Sequence, residues 1–185
     1  MKNRRQIMSV LTIHNFRQRV QSNQGFSLIE LLVAISIFLL LTGIGAVNYR
    51  TFNQRQELQQ SVHNVQEALR FAQKKARVGE KPVGCEAPII LEGYSVQAAA
   101  TGDNFEIYAE CRDPGGTDVD IQVGDTQRLV GGVNFAMGSN LNVLYKGLTG
   151  GTNSAAALTI TLDNNGLGYS FIVNQGGEIS EGAFN

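Results

Sequence analysis

The sequence predicts an α+β protein in which a long N-terminal helix packs on a mainly antiparallel β-sheet. An apolar run from residue 26 to about residue 47 contains Glu30 as its only charged residue. A helical pattern of apolar side chains then continues to residue 79. Short apolar runs separated by Gly- and Asn-rich turns fill residues 80–185, as is typical of antiparallel strands.

Residues 1–25 are basic and are interpreted as a targeting leader, outside the fold prediction. Five of the 15 basic residues lie in this segment, whereas all 16 acidic residues follow Gly25. Removal of the leader leaves 10 basic residues against 16 acidic ones, a net charge of −6. An ordinary secretory signal is the alternative, but the small residues at 43–46 match its cleavage site only marginally.

Residues 26–49 are predicted to be a transmembrane helix. At about 1.5 Å per residue this helix would be roughly 36 Å long, enough for a hydrocarbon core of about 30 Å. The preceding basic residues place the N-terminus in the cytoplasm and the head outside. Glu30 is expected to have a partner or to lie at the interface, because a carboxylate at the bilayer centre costs about 2.5–3.5 kcal/mol.

The string Gly25-Phe26-Ser27-Leu28-Ile29-Glu30 after a basic leader resembles the processing site of type IV prepilins and type II secretion pseudopilins. The resemblance implies that a prepilin peptidase cleaves between Gly25 and Phe26 and methylates the new amino group of Phe26. It implies that Glu30 pairs with a neighbour's N-terminus during assembly. Major pilins have a proline in the apolar helix, whereas this chain has Gly43 and Gly45 there.

The same resemblance implies a pilin-like fold and three kinds of partner: other pilin or pseudopilin subunits, the prepilin peptidase, and an inner-membrane assembly platform. It predicts a single-pass protein of the cytoplasmic membrane that later enters a pilus or pseudopilus. A minor pilin or pseudopilin is favoured over a major pilin, since no cysteine follows Cys111. The alternative is a membrane-anchored binding domain, with an adhesion or DNA-uptake role, that does not polymerise.

Residues 50–79 are predicted to continue the helix as an amphipathic segment that ends at Gly79 and Pro82. Its apolar stripe recurs at spacings of four and three and consists of Leu58, Val62, Val65, Leu69, Ala72 and Ala76. A basic cluster near its end leaves contact with DNA phosphates as an alternative, namely Lys74, Lys75, Arg77 and Lys81. The acidic head and the lack of interleaved aromatic residues argue against nucleic acid.

The head, residues 80–185, is predicted to contain strands at 89–97, 104–111, 119–123, 126–130, 141–144, 157–162, 168–174 and 178–180. Asp163-Asn164-Asn165-Gly166 predicts a hairpin turn, with a calcium loop as the less favoured interpretation. Cys85 and Cys111 both lie outside the membrane by this topology, so we predict a disulfide between them, two free thiols being the alternative. Such a bond would contribute about 3.5 kcal/mol.

The sequence does not predict an enzyme. Its two histidines, His14 and His63, are accompanied by no nucleophile motif, phosphate-binding loop or paired metal-ligand spacing. We therefore expect no cofactor and no metal site, and we expect His63 to be a solvated or packing residue of the helix. Catalysis would belong to the peptidase that acts on the chain.

Overall fold

The computed structural model describes residues 25–99, 101–138 and 141–185, without the side chains of residues 43–48. The predicted leader therefore lies outside the described residues apart from Gly25. A helix, α1 (Leu28–Val78), precedes nine strands: β1 (Ile90–Gln97), β2 (Asn104–Arg112), β3 (Asp118–Gln122), β4 (Gln127–Arg128), β5 (Asn134–Phe135), β6 (Asn142–Lys146), β7 (Leu158–Asn164), β8 (Leu167–Val173) and β9 (Ala183–Phe184). The protein is α+β, as predicted.

Contacts divide the described chain into two compact units, with the boundary after Gly43. The first unit contains the N-terminal part of α1. The second contains the remainder of α1 and every strand, and it carries the hydrophobic core.

The end of α1 follows from Gly79, as the sequence predicts. Gly79 has φ +67°, a left-handed conformation that glycine adopts without steric cost. Its N–H donates to the carbonyl of Ala76 at 3.1 Å, and the N–H of Glu80 donates to the carbonyl of Lys75 at 3.4 Å. These two bonds form a Schellman cap, which satisfies carbonyls that the last helical turn leaves free.

The apolar stripe of α1 packs into the core. All six residues predicted for it are at most 5% exposed: Leu58, Val62, Val65, Leu69, Ala72 and Ala76. The core also receives side chains from both sheets, and Phe105 of β2 meets Phe135 of β5 edge to face, with ring centroids 6.4 Å apart. Helix and sheets are therefore held by one continuous apolar cluster.

The strands form two antiparallel sheets, whereas the sequence predicted one. The first has the order β3-β2-β1-β6, with β4 also pairing with β2, and the second has the order β5-β7-β8-β9. β7 and β8 form a hairpin whose turn residues, Asn165 and Gly166, have φ +53° and +90°. This is the turn predicted from the Asn-Gly pair.

Other strand predictions are corrected by the structure. The predicted strand 126–130 is reduced to Gln127–Arg128, and 178–180 forms only a single bridge, between Ile179 and Val173. The strands β5 and β9 were not predicted. Each has only two residues, too few to show the alternation from which strands are recognised.

Candidate processing and assembly site

Ser27 fixes the start of α1, directly after the predicted cleavage point. The N–H of Glu30 donates to the hydroxyl oxygen of Ser27 at 3.3 Å, and the N–H of Leu31 donates to the carbonyl oxygen of Ser27 at 3.2 Å. Serine at the N-cap with glutamate three residues later is the pattern of a capping box. This role of Ser27 was not predicted, although Ser-x-x-Glu before an apolar run was its signal.

The cap leaves Gly25 and Phe26 outside the helix. Phe26 is 81% exposed, and among the described residues no side chain lies within 4 Å of the position that a Cβ would take at Gly25. In the described chain Gly25 and Phe26, the two residues that the predicted scissile bond joins, are therefore exposed and outside helix and strand. These are the conditions under which a peptidase can bind a segment.

Glu30 lies in the first turn of α1 and is exposed. Within the described part of the chain its carboxylate has no ion-pair or hydrogen-bond partner. The positive end of the helix dipole is a favourable place for a carboxylate. Glu30 thus places its carboxylate at the favourable end of the helix, unpaired among the described residues.

Beyond Glu30, the first unit exposes a continuous apolar surface. The side chains are 50–80% exposed at Leu28, Ile29, Leu31, Leu32, Val33, Ile35, Ile37, Phe38, Leu39, Leu40 and Leu41. Covering a single side chain of this size contributes roughly 1.5–3 kcal/mol. A surface of this extent marks contact with other proteins or with lipid.

Across the described residues, no helix is both long and apolar enough to meet the requirements for crossing a membrane. The transmembrane role of residues 26–49 stays a prediction.

The predicted cysteine pair is joined in the structure. Cys85 and Cys111 form a disulfide with their Cα atoms 6.0 Å apart, and both side chains are buried in the core. The bond ties the segment that follows α1 to β2. The same segment is fixed at its start by Tyr94, whose hydroxyl donates to the carbonyl oxygen of Glu80 at 2.6 Å.

The four residues of the basic cluster predicted near the end of α1 differ in their contacts. Lys75 forms an ion pair with Glu80, and the Nζ of Lys81 donates to the carbonyl oxygen of Ile89 at 2.7 Å. Of these four residues, Lys74 and Arg77 have neither an ion pair nor a side-chain hydrogen bond among the residues the structure describes, and both are exposed. This arrangement weakens the case for a phosphate-binding stripe.

Among the described residues, neither His63 nor the hairpin turn belongs to a group of three or more His, Cys, Asp or Glu side chains that could hold a metal ion. His63 is exposed, and its Nε2 lies 3.1 Å from the carboxylate of Glu67. At the turn, Asp163 accepts a hydrogen bond from the N–H of Gly166 at 3.2 Å. Asn164 is buried and donates to the carboxylate of Glu57 at 3.0 Å. These side chains hold the turn together and attach it to α1.

The α+β architecture, with a capped helix whose N-terminal part exposes apolar side chains, is consistent with a pilin-like class of protein. A family model described as the prokaryotic N-terminal methylation motif matches residues 21–46. The match supports a type IV pilin-like protein that is processed by prepilin peptidase. Proteins with this motif are in general structural and not enzymatic, and their partners in general are pilin subunits and that peptidase. Comparisons with curated proteins and with solved structures gave no significant match.

Proposed function

We propose that this chain is a structural subunit of a type IV pilus or of a type II secretion filament, placed as a minor pilin or pseudopilin. The observation that carries the proposal is the methylation motif at residues 21–46, a range that contains the exposed apolar side chains from Leu28 to Leu41 of α1. A filament core built from many such helices would cover this surface. The alternative is a membrane-anchored binding domain that does not polymerise.

Processing comes first in the proposed sequence of events. The peptidase cuts between Gly25 and Phe26, and methylation then acts on the new amino group of Phe26. This amino group precedes the N-cap residue Ser27, so the cut leaves the first hydrogen bonds of α1 in place. The anchored subunit waits in the cytoplasmic membrane with its head outside, and then enters the filament.

Assembly follows from charge and from apolar packing. The ammonium group that cleavage creates on Phe26 attracts the carboxylate of Glu30 on a neighbouring subunit, because this carboxylate has no ion-pair partner among the described residues. This pair sets the register of the two helices. The apolar side chains between Leu28 and Leu41 then supply most of the stability.

The head suits a minor subunit. Its disulfide lies early, between Cys85 and Cys111, and no cysteine follows in the chain. Major subunits more often place their cysteines near the C-terminus. Whether the filament is a pilus or a pseudopilus depends on the machinery with which the subunit assembles.

Incorporation into filaments tests the function. Glu30→Ala should reduce the amount of subunit recovered in sheared filaments by about tenfold, as expected when a desolvated charge loses its partner. Glu67→Ala is the control, because Glu67 is an exposed carboxylate on the same helix that pairs only with His63 in the described chain. Equal recovery of both variants, or function retained without any filament, would favour the anchored binding domain.

A further inference from the structure

Three cations form a face on the exposed side of α1 near its C-terminus. Arg70, Lys74 and Arg77 follow each other at spacings of four and three, which places them on one side of the helix. All three are exposed, and none takes part in an ion pair within the described part of the chain. We refer to these residues as the basic face.

The basic face borders a groove that the head holds in shape. Arg70 and Arg77 line this groove of about 230 Å³ together with Gln73 and residues 176–179. The side-chain amide of Gln73 donates to the carbonyl oxygens of residues 150 and 177 at 3.1 and 2.9 Å, so it is already used within the head. Glu178 also lines the groove and is exposed, but it forms no ion pair with either arginine among the described residues. The two guanidinium groups are therefore the donors that the groove offers to a partner.

The same head carries an excess of carboxylates on its first sheet. Asp118 and Asp120 lie two residues apart on β3, which is an edge strand, and Asp120 lies opposite Glu110 of β2. Arg112 is the cation paired with this group, and it bonds to Asp118 and to Glu92 at 2.9 Å each. We refer to Asp118, Asp120 and Glu110 as the acidic edge.

The acidic edge is electrostatically unfavourable in a single copy. Burial raises the pKa of the Glu110 carboxyl, a hydrogen bond from Ser95 lowers it, and the charges of Asp120, Glu92 and Asp118 raise it again. Like charges on directly opposed residues of two strands destabilise a sheet. A cation from outside the chain would relieve this repulsion.

We infer that the basic face of one copy docks on the acidic edge of a second copy. The two surfaces complement each other in charge, and each copy carries both of them. Arg70 and Arg77 are about 10 Å apart along the helix, and Asp118 and Asp120 are about 7 Å apart along the strand, a difference that flexible arginine side chains accommodate. Because the two surfaces differ, the contact is heterologous and repeats from copy to copy without closing a dimer.

This docking goes beyond the proposed function, because no residue of the N-terminal segment takes part in it. Cross-linking of the full chain in its own membranes tests it. Lys74→Cys on one tagged copy and Gln122→Cys on another keep both arginines and all carboxylates, and Gln122 lies on β3. The matched control pairs Lys74→Cys with Thr159→Cys, an exposed residue of β7 in the other sheet.

A short bis-maleimide should join residues 74 and 122 about tenfold more efficiently than residues 74 and 159, as expected for a contact that depends on opposite charges. Arg70→Glu with Arg77→Glu should abolish this preference, and Asp118→Lys with Asp120→Lys on the second copy should restore it. Arg128→Glu, an exposed arginine of β4, should have no effect. The preference should also fall at about 1 M salt, where charges more than roughly 3 Å apart are screened.

Equal cross-linking of the two pairs, or failure of the charge exchange to restore it, would overturn the docking. A shift of duplex DNA by the wild type but not by the Arg70/Arg77 variant, without cross-linking, would assign the basic face to nucleic acid instead. The N-terminus of the same sample separates the two proposals. Processing at Phe26 without cross-linking refutes only the docking, and cross-linking in an unprocessed chain refutes only the proposed function.

Discussion

Replacement of Gly177 by alanine should strongly destabilise the head, because this residue lies between Gln73 of α1 and the loop at Gly150. Gly177 has φ +80°, and a Cβ there would lie 2.3 Å from Nε2 of Gln73 and 2.5 Å from the carbonyl oxygen of Gly150. Such distances do not occur between real atoms, so the backbone around residues 150 and 177 must move. That movement removes the two hydrogen bonds that Gln73 donates to these carbonyls.

The expected loss has two parts. A non-glycine residue in the left-handed region costs about 1–2 kcal/mol, and each lost hydrogen bond costs roughly 1 kcal/mol. The sum is about 3–4 kcal/mol. For a domain of this size, 1 kcal/mol lowers Tm by roughly 2–4 °C, so Gly177→Ala should lower the Tm of the head by about 10 °C.

Thermal unfolding of the full chain in detergent, followed by near-UV circular dichroism, measures this loss. Gly176→Ala is the matched control, because no atom lies within 4 Å of its added Cβ and its φ is not in the left-handed region. It should change stability by less than about 0.5 kcal/mol. Gln73→Ala should lose about 2 kcal/mol, the hydrogen-bond part alone. A Gly177→Ala protein within 1 kcal/mol of the wild type, or equal losses at 176 and 177, would refute this reasoning.

Three further predictions concern the head. Replacing both Cys85 and Cys111 by alanine should lower the free energy of unfolding by about 3.5 kcal/mol, measured with urea, because the bond closes a loop over 26 residues. Tyr94→Phe should cost roughly 1 kcal/mol, since its hydroxyl is hydrogen-bonded, whereas Tyr145→Phe should cost nothing, because its buried hydroxyl has no partner within the described residues. The raised pKa of Glu110 means that the folded state binds the proton more tightly than the unfolded state. Stability is therefore lost as pH rises through the folded pKa, and Glu110→Gln should be more stable than wild type at pH 7, with the gain vanishing below about pH 4.

Each of these predictions has a contrary outcome. Unchanged stability on loss of the disulfide would mean that the core holds the segment after α1 without it. A larger loss for Tyr145→Phe than for Tyr94→Phe would show that the hydroxyl of Tyr145 has a partner, such as a buried water. A pH-independent effect of Glu110→Gln would show that packing, not charge, decides the stability at that position.

The sequence predicted the features that local patterns determine. The stripe from Leu58 to Ala76 repeats over several turns, and each of its residues is buried. Asn165 and Gly166 tolerate positive φ, so the hairpin between β7 and β8 could be located within residues 163–166. Gly79 ends α1 for the same physical reason.

Features that depend on contacts distant in sequence were not predicted. The second sheet includes β5 because Asn134 of β5 pairs with Asp163 of β7, and no local pattern links these two residues. The amide of Gln73 fixes loops 77 and 104 residues further along the chain, which no local pattern indicates. At the candidate site, the motif predicted Gly25, Phe26 and Glu30 for processing and assembly, roles that remain proposals.

The most direct test of the central claim is mass spectrometry of the N-terminal peptide, on protein recovered from the membranes of its own cells. Processing by a prepilin peptidase predicts a mature chain that begins at Phe26 and carries one methyl group on its α-amino nitrogen. A chain that still begins at Met1, or one that is cut near Ala46, would contradict the pilin-like account and leave an anchored or secreted domain.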